Sequence, residues 1–205
     1  MKNKSLYLTV TQVLGPFSGL SGIDPEIVKS AGDRGTVVHR ICDSIVLQFP
    51  FDDETIDQMI REYARNEEHF QKEKDLVLHF VVSFQKWQEG KVFLKKPERF
   101  FDDELMLTGE CDLLYRDKEK RLVLVDLKTP ASESKNWMLQ GSAYSYLAKQ
   151  VGHNIDVIEF VQLSRTGARP KIHHYKEDFR LFKAHLDVYK YQYKDWVEVS
   201  QMDYI

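Results

Sequence analysis

Residues 105–130 read Leu-Met-Leu-Thr-Gly-Glu-Cys-Asp-Leu-Leu-Tyr-Arg-Asp-Lys-Glu-Lys-Arg-Leu-Val-Leu-Val-Asp-Leu-Lys-Thr-Pro. Two apolar stretches, 105–115 and 121–129, flank the charged tetrapeptide 117–120, the pattern of two strands joined by a tight turn. Residues 122–125, Leu-Val-Leu-Val, are apolar without alternation, as expected of a central strand buried on both faces. Pro130 ends that strand, and just before it stand two charges, Asp126 and Lys128. Side chains two apart on a strand share a face, so both leave the end of a buried sheet together. Open α/β sheets place ligands at such ends; a salt bridge at the strand end is the purely structural alternative.

The register of the hairpin decides what joins them. Pairing residue 116 with 122 sets Asp112 opposite Asp126, with Cβ atoms roughly 5 Å apart. A two-residue turn at 118–119 would pair 117 with 120 and put Asp112 opposite Val125, on the other face. The first register is expected, or a bulge that restores it. Two carboxylates about 4 Å apart repel by about 4 kcal/mol at an effective dielectric near 20, so a proton or a cation must sit between them. Clustered oxygen donors suit a hard divalent ion, Mg²⁺ or Mn²⁺. Gly109 lets the backbone bend or admits a close neighbour. A solvated charge cluster is the competing account.

Outward from this hairpin, the first third reads helical: 34–47 capped by Asp33, with Val38, Ile41, Ile45 and Val46 on one face; 53–65; and 68–88, carrying Phe70, Leu76, Phe80, Phe84 and Trp87 and stopping at Gly90. A strand is expected over 92–101. Beyond Pro130 follow a helix over 133–150, a strand over 155–163, a loop over 165–170, a short strand over 171–175 and a helix from near Asp178. In that last helix Phe179, Phe182, Leu186, Tyr189, Tyr193 and Trp196 form one apolar seam. The seam is expected to pack on the sheet; a partner helix, and with it a homo-oligomer, is the alternative. The order of elements predicts one α/β domain over 1–205 with a mixed sheet: a helical part (1–90) carrying His39, a sheet-and-helix part (91–177) and a terminal helix (178–205).

The chain has 205 residues, 30% charged and 42% hydrophobic, enough for one domain with a core. No apolar run approaches the ~20 residues of a membrane helix, and residues 1–15 lack the apolar core of a secretory signal; a cytoplasmic setting is expected. The 29 Lys and Arg against 32 Asp and Glu give a net charge of -3. That argues against coating of nucleic acid through bulk charge, so a polyanion would be held by a local basic patch or by metal ions. Such a patch is offered by Arg165, Arg169 and Lys171, with Lys135 and Lys149 flanking the preceding helix; a solvated turn is the plainer reading. Gln140 and Tyr144, one helical turn apart, present an amide that needs a hydrogen-bond partner, a loop carbonyl or a group near Lys128. Of 7 histidines only His39, close to Arg34, Gly35 and Thr36, has a setting that singles it out.

Taken in order, Arg34-Gly35-Thr36-Val37-Val38-His39, Gly109-Glu110-Cys111-Asp112, Asp126-Leu127-Lys128 and Gln140 with Tyr144 resemble the motifs of the PD-(D/E)XK nuclease superfamily, in particular its RecB-like exonuclease branch. The resemblance spans about residues 8–150 and extends in plan to small phage-type exonucleases. It implies a restriction-endonuclease-like fold, a mixed sheet flanked by helices, and metal-dependent hydrolysis of DNA, with exonuclease action on linear ends or single strands. It further implies that His39, Asp112, Asp126 and the Leu127 carbonyl bind Mg²⁺ or Mn²⁺, that Lys128 positions or helps deprotonate the attacking water, and that Gln140 and Tyr144 orient the DNA or the lysine. Arg34, Arg165, Arg169 and Lys171 are the expected substrate contacts, and Glu98 matches an extra acidic residue of some members. The four-cysteine iron–sulfur cluster of certain relatives is excluded by the presence of only 2 cysteines. The alternatives are a catalytically silent nucleic-acid-binding or assembly subunit with the same fold, and a nuclease for RNA or branched structures.

Overall fold

The computed structural model describes residues 7–19, 22–94 and 98–193. The elements in chain order are β1 (Leu8–Thr9), α1 (Val10–Leu14), a 3-10 turn (Gly15–Phe17), α2 (Pro25–Val46), α3 (Asp53–Arg61), α4 (Glu67–Gln88), β2 (Phe100–Asp102), β3 (Leu107–Gly109), β4 (Leu113–Arg116), β5 (Leu122–Lys128), α5 (Asn136–Gln150), β6 (Val157–Gln162), β7 (Lys171–Tyr175) and α6 (Phe179–Gln192). The strands form a mixed sheet in the order β4-β5-β6-β7, in which only β5 and β6 run parallel, and a smaller sheet β1-β3-β2. The architecture is α/β with mixed sheets flanked by helices, as the order of elements predicts.

The run 122–125 is buried throughout, and its side chains alternate between two cores. Val123, Val125 and Leu127 point into a layer with Val38 and Ile41 of α2, Ile60 of α3 and Phe80 and Phe84 of α4. Leu122 and Leu124 point the other way, toward Ala143 and Leu147 of α5, Val13 of α1 and Phe182 and Leu186 of α6. Helix α5 lies close on the sheet because Gly141 has no side chain: a Cβ there would stand 2.5 Å from Ile158 Cγ2 and 2.9 Å from Phe160 Cε2.

Three expectations are corrected. Helix α2 starts nine residues before the expected 34, because Asp24 caps it by accepting the Glu26 N–H and Pro25 opens its first turn. Asp33, read as the cap, is an interior residue paired with Lys29 at 2.6 Å. The stretch 105–115 is not one strand: β3 belongs to the small sheet and β4 to the large one, and 110–112 carry the chain between them. Of the strand expected over 92–101, residues 95–97 lie outside the described residues. Phe93 makes only an isolated bridge to Tyr115, its ring packed between Trp87 and Tyr115, and pairing resumes at β2. The seam of α6 lies mainly against α5 and α1, its Phe182 and Leu186 sharing a core with Leu122 and Leu124 of the sheet, and Phe179 stacks on Tyr146. Trp196 lies outside the described residues. No helix among the described residues is long and apolar enough to cross a membrane.

Candidate active site

The hairpin takes the expected register: Arg116 pairs with Leu122 and Leu113 with Val125. At its open end the Asp112 N–H donates to the Val125 carbonyl at 3.1 Å, the shift of a bulge, which turns Asp112 out of the ladder. Its carboxylate then closes the gap: Oδ2 accepts the Leu127 N–H at 2.6 Å. A strand residue presents its N–H and C=O to the same side, so the Leu127 carbonyl faces the Asp112 side as well.

The other oxygen, Oδ1, lies 3.0 Å from His39 Nδ1. Helix α2 delivers that imidazole from the α2–α4 layer. It crosses the end of β5 so closely that a Cβ on Gly35 would lie 3.5 Å from Thr129 Oγ1. With Nδ1–H donating to the carboxylate, the Nε2 lone pair is left available. From the opposite layer α5 contributes Gln140 and Tyr144. Lys128 Nζ donates to Gln140 Oε1 at 2.9 Å, and Gln140 Nε2 donates to the Tyr144 hydroxyl at 2.9 Å. The Tyr144 ring in turn lies over Gly109, where a Cβ would come within 2.7 Å of it. The site therefore sits at the end of the large sheet, where the two helical layers meet.

Lys128 Nζ is 2.5 Å from the buried Asp126 Oδ2, a direct ion pair. Burial pushes the Asp126 carboxyl up to about 6; Lys128 pulls it down and Asp112 pushes it up again. Asp112 goes the other way: burial raises it, but the His39 charge and hydrogen bond, then the Leu127 N–H, hold it below the usual carboxylate range. Burial lowers the His39 imidazole, and Asp112 outweighs this and leaves it raised.

Asp126 thus holds its proton more tightly in the folded chain than in the unfolded one. Its contribution to stability is full below the ordinary carboxylate pKa near 4 and is lost as pH rises toward about 6. Melts in EDTA at pH 4.5 and pH 7 are expected to show this loss removed in Asp126→Asn relative to the parent; an equal pH dependence in both proteins would contradict it.

Among the described residues no three His, Cys, Asp or Glu side chains are gathered closely enough to hold a metal ion. His39 is paired with Asp112 and Lys128 with Asp126. The donor set nonetheless fits a hard divalent cation: two carboxylates, an imidazole nitrogen and a main-chain carbonyl, with an ammonium beside them.

The remaining candidates fall elsewhere. Arg34 is held by Glu73, donating through Nη1 to Oε1 and Oε2 at 2.9 and 3.1 Å, and Tyr63 donates to the same carboxylate. As placed, it braces α2 on α4 rather than offering a free charge. Arg165, Arg169 and Lys171 are exposed beside Pro130, just past Lys128. Glu98 is exposed ahead of β2. Lys149 pairs with Glu177 at 2.7 Å. Sequence reasoning missed Arg65 and Lys72, which rim the same side of the molecule as Arg165; the basic and polar spacing of His69 and Lys72 on one helical face was the available signal.

A sequence model of the PD-(D/E)XK nuclease superfamily matches residues 17–190. Among solved structures, the chain is similar to a "putative exonuclease" from Eubacterium rectale, with TM-score 0.53 and 13% identity over 98% of this chain and 84% of that one. SSO0001 is a weaker likeness, with TM-score 0.39 and 11% identity over 75% of this chain and 72% of that one, and carries no argument. No curated protein is similar enough to match. The family match covers both layers and the end of the sheet between them, and the chain belongs to the PD-(D/E)XK nuclease superfamily.

Proposed function

We propose that the protein is a metal-dependent deoxyribonuclease that hydrolyses phosphodiester bonds at the ends of linear DNA. The observation that carries this reading is the meeting of Asp112, Asp126, Lys128 and His39 at one sheet end, from three separate stretches of a chain of this superfamily. The exonuclease mode is supported by the name of the structural neighbour from Eubacterium rectale.

Asp112, Asp126, the His39 imidazole and the Leu127 carbonyl are the groups that would hold Mg²⁺ or Mn²⁺. Such a cation, when bound, polarises the scissile phosphate and lowers the pKa of a coordinated water. The chain's own groups do the rest. Asp112 is held by the Leu127 N–H through Oδ2, while its Oδ1, now on His39 Nδ1, would exchange that contact for the cation. Lys128 sets a positive charge beside the carboxylates, where it offsets negative charge accumulating on the phosphate. Gln140, itself held by Tyr144, takes one hydrogen bond from the ammonium and keeps it from turning wholly onto Asp126.

The test is a substrate panel: linear single- and double-stranded DNA, closed circular DNA and RNA, each with Mg²⁺, with Mn²⁺ and with EDTA. Loss of linear DNA only with a cation, circles spared, is the expected result. Cleavage of circles would replace exonuclease by endonuclease action. No cleavage of any substrate under any condition would refute the enzyme and leave the binding subunit.

A further inference from the structure

Between α2 and the first half of α4 runs a groove of about 600 Å³ that plays no part in holding the catalytic groups. A second hollow, of about 280 Å³, lies between Pro130 and the loop joining β6 to β7. Arg165 lines both and joins them, and Pro130 stands two residues beyond Lys128. The joined path thus leads from the mouth of the site along the α2–α4 layer.

Its charge is opposite to that of the chain. Arg34, Arg65, Lys72, Arg165, Arg169 and Lys171 line it against two carboxylates, Glu68 and Glu73, in a protein of net charge -3. Glu73 is taken up by Arg34. Among the described residues, Lys72, Arg165 and Lys171 have no ion-pair partner, although the chain is rich in acids. Arg65 pairs with Glu26 at 3.0 Å, but both are more than half exposed, so little energy holds them together.

The loop bearing Arg165 is fastened in place. Ser164 N–H donates to Ser83 Oγ at 2.9 Å, Lys86 Nζ donates to the Gly167 carbonyl at 2.6 Å, and Arg169 donates to the Lys86 carbonyl at 3.2 Å. Gly167, at φ +68°, makes the turn that allows this, and a Cβ there would lie 3.4 Å from Val82 of α4. The cations therefore come from separate segments, on more than one wall, around a hollow. Apart from His69, no aromatic ring lines either part among the described residues, so the path offers charge for phosphates and no platform for stacking bases.

We propose that this path grips the sugar-phosphate backbone of one nucleic-acid strand, without regard to sequence, and carries it past the site at Lys128. The direction toward cleavage rests on the nuclease reading; the grip itself is measurable without cleavage. The experiment is fluorescence anisotropy in EDTA with a labelled single-stranded 20-mer and its duplex. The variant is Lys72→Glu with Arg165→Glu; the control is Lys118→Glu with Lys120→Glu, in the turn between β4 and β5. Thermal melts check that both fold.

The single-strand Kd is expected to rise at least tenfold in the groove variant. The slope of log affinity against log salt should fall by about 1.4, two phosphate contacts at about 0.7 each, and the control should stay within twofold of the parent. An unchanged Kd in the groove variant overturns the proposal, as does an equal loss in the control. A loss seen with the duplex and not with the single strand overturns it too. If the parent cleaves nothing while the groove variant loses binding as expected, the nuclease reading falls and the grip stands.

Discussion

Asp126→Asn is expected to lower the single-turnover cleavage rate on the order of 10³-fold or more while making the metal-free protein more stable at pH 7.5. The two effects share one cause. The Asp126 carboxylate is buried and stands near a second acid, so its ionised form is unfavourable in the folded chain even with Lys128 beside it. A carboxyl raised from about 4 to about 6 corresponds to roughly 3 kcal/mol of stability forgone at neutral pH. Asparagine keeps the shape and removes the charge. About 2 kcal/mol of this should return, read as a higher melting temperature in EDTA, and the gain should shrink toward pH 4. The same change removes an anionic ligand, and with it the hold on a cation. A variant that loses activity and also stability would show that Asp126 is a structural member of the Lys128 pair and not a group held under electrostatic strain for chemistry.

The second large effect is on the fold. Gly141→Val is expected to cost about 3 kcal/mol or more, since overpacking at a tight contact typically costs 1–3 kcal/mol and Val adds more than a Cβ. The Cβ alone meets Ile158 and Phe160 at 2.5 and 2.9 Å, both on the central strand β6. Helix α5 must lift to make room, and Gln140 is the adjacent residue, so the lysine's amide partner moves with it. Gly32→Ala in α2 is the matched contrast: nothing lies within 4 Å of a Cβ there, and better helix propensity should add about 0.5–1 kcal/mol. Denaturant midpoints of the two variants test the pair. Comparable stability of Gly141→Val and the parent would mean that α5 does not lie against β6 as described.

The parts of this structure that were legible in the chain are those set by local rules. The uninterrupted run 122–125 marked the central strand, the four-residue turn set its partner, and together they placed Asp112 at the level of Asp126. The pairing of Lys128 with Asp126 followed from a two-residue step on a strand. What escaped depended on distant contacts or on a rival local signal. The alternation through 105–115 continues across two sheets, and the break depends on the Tyr144 ring pressed on Gly109, a contact 35 residues away in the chain. Asp33 resembles a cap as well as Asp24 does, and only the proline that follows Asp24 separates them. Arg34 looked free until Glu73, 39 residues on, claimed its guanidinium. Of the basic path, the patch Arg165, Arg169 and Lys171 was legible as a local cluster, whereas its continuation through Arg65 and Lys72 was not, because these gather with it only when α4 and the β6–β7 loop are docked.

The position of the site between the two layers bears on how the protein is made. His39 is synthesised early and the α5 residues late, and the strand that locks Asp126 and Lys128 into the sheet, parallel β6, comes later still. Parallel pairing across an intervening helix closes only after that whole stretch has been translated and docked. A chain whose β6 has not yet docked therefore already carries His39, Asp112, Asp126 and Lys128, but does not yet hold them together at one sheet end.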